Sequence, residues 1–162
     1  MTFDECIDEI KAHHFPKPPA SQSQIDSLAQ SLRWQIPSDL RSFFLACNGA
    51  RLFEDIDSPF DLVTIEEFHP TAIDVFGEVK EEWAPTEWYS IAHVRDGNYI
   101  AIDLASVDGD SADYLDAFHE TLGQEGYQVI IAKSFTELLS DALKSGGEHY
   151  WLDENFTGHG NR

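Results

Sequence analysis

Apolar residues recur three and four positions apart in four segments of the chain, and this spacing predicts amphipathic helices. Each segment begins at a residue suited to a helix N-terminus, and these residues are Thr2, Ser21, Pro37 and Ser134. The proline-rich residues 16–19 end the first helix, and Gly49 and Gly146 end the third and fourth. The pattern therefore predicts three helices before residue 50 and one after residue 134.

Between the third and fourth helices the period changes to two, which predicts strands at residues 60–65, 88–94, 99–104 and 127–132. Asp96 and Gly97 tolerate positive φ, so we expect the second and third of these strands to form a hairpin. Residues 113–119 fit both a helix face and a strand, and the pattern leaves both open. Helices, then strands, then a helix predict an α+β fold with a mostly antiparallel sheet.

The apolar face of the third helix predicts where the core lies. Leu40, Phe43 and Phe44 share that face, so we expect them to be buried where the helix meets the sheet. The two cysteines, Cys6 and Cys47, also lie on apolar helix faces. We interpret them as small buried hydrophobic residues rather than as a disulfide or a nucleophile.

The charge of the chain narrows the classes of partner. It has 162 residues, with 30 acids against 10 bases and a net charge of −20, but 42% of it is hydrophobic, which suits one folded domain. Because phosphates are bound by cations, we expect no nucleic-acid partner and no anionic membrane surface. The first residues, MTFDE, lack the features of a secretory signal, so we expect a cytoplasmic protein.

Most of the charge lies in one segment. Residues 54–125 contain nineteen acids but only Lys80 and Arg95, which gives −17 of the −20. This segment is either a solvated, self-repelling surface or a binding face for a cationic partner. Seven aromatic residues that could anchor an interface, or belong to the core, are interleaved with the acids: Phe53, Phe60, Phe68, Phe76, Trp83, Trp88 and Tyr89.

The sequence contains no complete motif for catalysis or metal binding. Asp108 and Asp110 begin like a calcium loop, but His119 stands where such a loop needs Glu. The seven histidines lack zinc-site spacing, and the chain has no nucleophile elbow, phosphate loop or dinucleotide fingerprint. We therefore expect no cofactor, no metal and no enzymatic activity.

Three pieces of the chain, in this order and spacing, resemble one known family. They are IPSDLRSFFLACNG at 36–49, the strand–turn–strand at 91–104, and VIIAKSFTELL at 129–139. Together they resemble the SUKH superfamily, the Smi/Knr-type domain. The resemblance covers residues 1–146 as a single domain and leaves 147–162 as a polar C-terminal tail. The acidic stretch at 107–113 is longer than the family pattern leads us to expect.

The resemblance implies N-terminal helices, a twisted, mostly antiparallel sheet of about six strands and a C-terminal helix. It also favours a strand over a helix at residues 113–119. Bacterial members of the superfamily are typically immunity proteins that neutralise toxins, often nucleases, and fungal members resemble regulatory scaffolds of cell-wall synthesis. Neither group is known for catalysis.

We therefore predict a non-catalytic immunity protein that binds and occludes a basic toxin domain, for which a nuclease is one candidate. The alternative is a regulatory scaffold of the cell-wall-synthesis type, and the oligomeric state stays open. A nuclease cleft is positive, so carboxylates held in the open could take the place of phosphates. The residues predicted to bind the partner are Asp55, Asp57, Trp88, Asp108, Asp110, Asp113 and Asp116.

Overall fold

The structure is a computed structural model that describes residues 1–54 and 60–162. In these residues the chain forms five α-helices: α1 (Phe3–His13), α2 (Gln22–Ser31), α3 (Ser38–Ala46), α4 (Thr71–Phe76) and α5 (Phe135–Lys144). It also forms seven strands: β1 (Phe15–Pro16), β2 (Ala50–Leu52), β3 (Phe60–Leu62), β4 (Trp88–Val94), β5 (Asn98–Asp108), β6 (Ser111–Ala117) and β7 (Ile130–Ala132). Short 3₁₀ turns lie at Ile65–Glu67, Arg95–Gly97 and Tyr150–Leu152.

The described strands form one sheet in which each strand pairs antiparallel with the next along the chain. The predicted α+β class, with helices before the sheet and one after it, is confirmed. The sheet has seven described strands rather than about six, because the two-residue β1 pairs with β2 at the edge. Residues 111–117 form a strand, so the strand alternative is correct for this stretch.

Local signals explain where the helices begin. Thr2 and Ser21 each accept a hydrogen bond from the backbone N–H three residues later, and both form complete capping boxes. After α3, Gly49 adopts a φ of +91°, and a Cβ there would lie 2.9 Å from the carbonyl oxygen of Leu62. The chain can therefore turn directly from α3 into the sheet only because this residue is glycine.

The predicted hairpin is confirmed. β4 and β5 pair up to Val94 and Asn98, and the turn between them holds Asp96 at a φ of 62° and Gly97 at 69°. Both are left-handed conformations that Asp and Gly adopt more readily than other residues do. The turn fixes the register of β4 against β5, the longest strand, which also pairs with β6.

The main core lies between the sheet and the helices α1, α3 and α5, on what we call the first face of the sheet. Leu40, Phe43 and Phe44 are each 1% exposed, which confirms their predicted burial. Phe43 packs against Phe135 of α5, with ring centroids 4.9 Å apart. Cys47 is buried and free, and burial raises the pKa of its thiol to about 11, so it is not reactive at neutral pH.

The opposite face, which we call the second face, carries α4. A second apolar cluster lies here, formed by Ala72, Ala84, Trp88, Ala101, Leu115, Ala117, Leu122 and Ile130. The apolar pattern of the sequence does not predict α4. It is only six residues long, begins after Pro70 and ends at Gly77, which is left-handed with a φ of 78°. The sheet is therefore covered on both faces at its centre.

Residues 147–162, expected to be a polar tail, lie against β7. The backbone N–H of Ile130 donates to Gly160 O at 2.8 Å, and that of Arg162 donates to Gln128 O at 2.8 Å. Trp151 is 6% exposed and belongs to the main core. The division into a domain and a tail stays a prediction. None of the helices in the described parts of the chain is long and apolar enough to span a bilayer.

Candidate protein-binding surface

The acids predicted to bind a partner do not form one cluster. Asp108 and Asp110 are exposed on either side of Gly109, in the turn that joins β5 to β6. Asp110 accepts a hydrogen bond from the hydroxyl of Ser38 at the start of α3. The predicted residues Asp55 and Asp57 lie outside the described residues.

Trp88 and Asp113 are less exposed than we expect for residues that bind a partner. Both lie on the second face of the sheet, where each residue is only 5% exposed. Asp113 accepts hydrogen bonds from Lys133 Nζ at 2.6 Å and from Arg162 Nε at 3.0 Å. Burial alone raises the pKa of Asp113, but these two cations outweigh it and hold the pKa below its ordinary value. The charge of Asp113 is therefore neutralised within the fold.

Asp116 lies on the opposite side of β6, because side chains alternate along a strand. It lines an open cavity of about 410 Å³ that also includes Phe118, Tyr127 and Trp151. Burial raises the pKa of Asp116 to about 6, although the Trp151 side chain, as a hydrogen-bond donor, acts in the other direction. Whether any of the predicted residues binds a partner stays a prediction.

Exposed apolar side chains are concentrated on and just after α4. Ile73, Phe76, Val79 and Trp83 are 39%, 37%, 41% and 38% exposed. Phe76 and Trp83 pack edge to face with centroids 5.3 Å apart. We call these four residues the apolar patch. A contiguous apolar patch with polar surroundings is typical of a protein-binding site.

The sequence of α4 accounts for the patch. Ala72 and Val75 face the second apolar cluster, whereas Ile73 and Phe76 lie on the solvent side of the same short helix. The helix stops at Gly77, and the chain then continues without regular structure as far as β4. Because a helix of six residues cannot bury all four of its apolar side chains against one sheet, half of them stay in water.

Carboxylates surround the apolar patch. Glu78, Glu81 and Glu82 are exposed beside it. The ammonium of Lys80 lies 3.9 Å from the centre of the Trp83 ring and 2.9 Å from Glu78 Oε1. Lys80 is thus paired with Glu78, and no ion pair to Glu81 or Glu82 forms among the described residues, so this side of the patch is negative.

The loop from β6 to β7, residues 118–129, connects the patch with the cavity beside Asp116. At one point it packs on the Trp83 segment, where a Cβ on Gly123 would lie 1.9 Å from the Trp83 carbonyl oxygen. At another, Thr121 and Tyr127 of the same loop line the cavity. The loop carries two acids and no lysine or arginine. The patch lies on the second face of the sheet and the cavity on the side of the first face, and the loop passes between them at the end of β6. We call the patch, this loop and the cavity together the acidic surface.

The acidic surface holds most of the exposed large apolar side chains. Of nine in the described residues, six lie on it: Ile73, Phe76, Val79, Trp83, Tyr127 and Leu152. From the sequence, Phe76 and Trp83 are predicted only as residues that could anchor an interface or belong to the core, and the other four are not identified as anchors. The sequence feature that predicts this short helix is Pro70 before it and Gly77 directly after it. The apolar residues between them are spaced so that they lie on two sides of the helix.

Within residues 1–54 and 60–162, no group of three or more His, Cys, Asp or Glu side chains is placed to hold a metal ion. The acids of the surface instead lie spread around apolar contacts. This arrangement suits recognition of another protein by an apolar centre and a charged rim.

Comparison with known proteins identifies the family of the chain. Residues 19–141 match the SMI1 / KNR4 family (SUKH-1). A relative named "Immunity protein YokJ", from Bacillus subtilis (strain 168), is 35% identical to this chain over 123 residues. The match covers 75% of this chain and 73% of that relative. The chain belongs to the SMI1 / KNR4 family (SUKH-1), and the resemblance stated from its motifs is confirmed.

Proposed function

We propose that the protein is a non-catalytic immunity protein, which neutralises a cognate toxin in the cytoplasm by binding and occluding it. Two observations support the proposal. A relative that covers three quarters of the chain is named an immunity protein. The fold also presents a surface with the anatomy of a protein interface. This support favours immunity over a regulatory role in cell-wall synthesis.

The apolar patch with its acidic rim is the observation that carries the proposal. Trp83 and Phe76 supply large side chains that already pack together, so little side-chain entropy is lost on binding. Glu81 and Glu82 beside them are exposed and charged. Interfaces typically place such aromatic anchors at the centre and charged groups at the edge.

The partner is a basic protein domain, and a nuclease fits this description. A nuclease holds phosphates with Lys and Arg, so its cleft is positive. Opposite charge accelerates the encounter of two proteins, which matters when a toxin must be bound before it reaches DNA or RNA. Asp108 and Asp110 are exposed at the β5–β6 turn and add negative charge at the other end of β6 from the cavity.

Co-purification of the protein with the product of the adjacent gene tests the proposal first. We expect a complex, and we expect co-expression to protect cells from that product. If the two proteins do not associate and the neighbouring product is harmless, the immunity function is wrong.

Two sets of variants then test the surface. Trp83→Ala should speed dissociation about 30-fold, as expected for loss of an anchor worth about 2 kcal/mol. Phe15→Ala is the matched control, because Phe15 is an exposed aromatic residue on the edge strand β1. If both variants bind like the parent, the patch is not the interface.

The charge component is tested by association rates at low and high salt. Reversing Glu81 and Glu82 to Lys should slow association and flatten its dependence on salt. Reversing the exposed acids Asp8 and Asp26, which lie outside the acidic segment, is the control and should have a smaller effect. An association rate that does not change with salt, or an acidic partner, would refute the electrostatic mechanism without affecting the fold.

A further inference from the structure

The cavity beside Asp116 has the shape and the walls of a small binding site. It lies where the β4–β5 turn, the end of β6, the β6–β7 loop and the chain around Trp151 meet. Its volume of about 410 Å³ is within the range of ligand sites and larger than one side chain. Tyr127 and Leu152, which are 61% and 69% exposed, stand at its edge.

Asp116 is a largely buried carboxylate that lacks a cation. Asp113, three residues before it, is bonded to Lys133 and Arg162. In the part of the chain that the structure describes, no Lys, Arg or His nitrogen lies within 4.0 Å of the Asp116 carboxylate. Among the described residues, the side chain of Trp151 is the one hydrogen-bond donor that lowers the pKa of Asp116. A charge that is partly desolvated and unpaired is costly, and such groups are concentrated at functional sites.

The walls of the cavity are aromatic. The rings of His149 and Trp151 stack with centroids 4.7 Å apart and planes 13° apart, and Phe118 and Tyr127 line the same space. Burial lowers the pKa of His149, and nearby Arg95 lowers it further, so its ring is neutral at pH 7. The walls of the cavity therefore offer the faces of aromatic rings, and the neutral ring of His149 contributes no positive charge.

Other charged groups nearby do not satisfy Asp116. Asp96, on the β4–β5 turn, also lines the cavity and adds negative charge. Arg95 and Glu148 influence His149, but neither lines the cavity. The cavity is therefore lined by two acids, Asp96 and Asp116, and by no lysine or arginine of the described residues, so it has room for a cation from another molecule.

We propose that this cavity binds one arginine side chain of the partner protein. A guanidinium is planar, so it stacks on aromatic rings, and it donates two parallel hydrogen bonds to one carboxylate. Asp116 accepts these bonds, and Trp151 and Tyr127 contact the faces of the group. The identity of the partner as a toxin rests on the proposed function, whereas the chemistry of the cavity does not.

The test uses the protein alone, titrated with N-acetyl-arginine amide and followed by NMR and by tryptophan fluorescence. We expect chemical-shift changes centred on Trp151 and Tyr127. The neutral isostere N-acetyl-citrulline amide should bind at least about tenfold more weakly, because one charged contact is lost. Asp116→Asn should reduce arginine binding by a similar factor, and the exposed control Asp8→Asn should leave it unchanged.

A second variant keeps the test decisive if Asp116→Asn is poorly folded. Tyr127→Leu removes one wall at a largely exposed position, and we expect it to weaken arginine binding while the fold is kept. Equal binding of the arginine and citrulline probes, or equal losses in the Asp8 and Asp116 variants, would overturn the proposal. That result would leave the immunity function standing, since toxin binding is measured separately. If the protein binds arginine specifically but has no toxin partner, the arginine site is supported and the proposed immunity function is wrong.

Discussion

Replacing Asp116 with asparagine should stabilise the protein at neutral pH. Burial raises the pKa of Asp116 from 3.8 to about 6 in the folded state. A shift of about two units corresponds to roughly 3 kcal/mol at about 1.4 kcal/mol per unit. The side chain is partly exposed, so we expect a gain on the order of 1–3 kcal/mol, since asparagine has the same shape and carries no charge to desolvate.

The dependence of this gain on pH has a definite sign. A raised folded-state pKa means that ionised Asp116 costs stability above pH 6, and the cost disappears as the pH falls below 3.8, where the group is protonated in both states. Urea unfolding of the parent and Asp116→Asn between pH 7.5 and 4 measures it. The exposed control Asp8→Asn should stay within about 0.5 kcal/mol. An asparagine variant less stable than the parent at pH 7.5, or a gain that does not change with pH, would contradict the reasoning.

Three further substitutions test the packing that positions the surface. Phe43→Ala should cost about 3–5 kcal/mol and lower the melting temperature by about 6–20 °C, whereas Leu45→Ala on the exposed side of α3 should change it little. Asp113→Asn should cost about 1–3 kcal/mol at neutral pH in urea unfolding, and the cost should shrink in acid, because the pKa of Asp113 is lowered in the folded state. Gly123→Ala should displace the loop from the Trp83 backbone, seen as faster hydrogen exchange there; unchanged exchange would mean that the close contact is absent.

Much of the fold follows from local signals in the sequence. The capping boxes at Thr2 and Ser21 and the positive-φ pair Asp96 and Gly97 each determine a boundary by hydrogen bonding or backbone sterics. The strand β1 has only two residues and α4 only six, so neither repeats its pattern often enough to be recognised in the sequence. Such short elements are held by tertiary contacts, which a single sequence does not display.

The acidic surface was less predictable, because exposure depends on which element covers which face. Trp88 and Trp83 are five residues apart in the same acidic segment, yet one is buried beneath α4 and the other lies exposed beside it. Asp113 and Asp116 belong to one strand, but alternation sends them to opposite faces. Arg162 contacts Asp113 only because the chain folds back onto β6 over the 49 residues that separate them.

The cations of the described residues are placed unevenly between two partly buried acids of β6, Asp113 and Asp116. Lys133 and Arg162 lie at Asp113 on the second face, and Arg162 Nε is also 3.5 Å from Asp103. No cation of the described residues is placed at Asp116, although it too is largely removed from water. Exposed acids are sufficient to keep a protein soluble. A buried carboxylate without a cation adds nothing to solubility and lowers the stability of the fold. Under the arginine-site proposal, the fold itself neutralises Asp113, and the partner supplies the cation for Asp116.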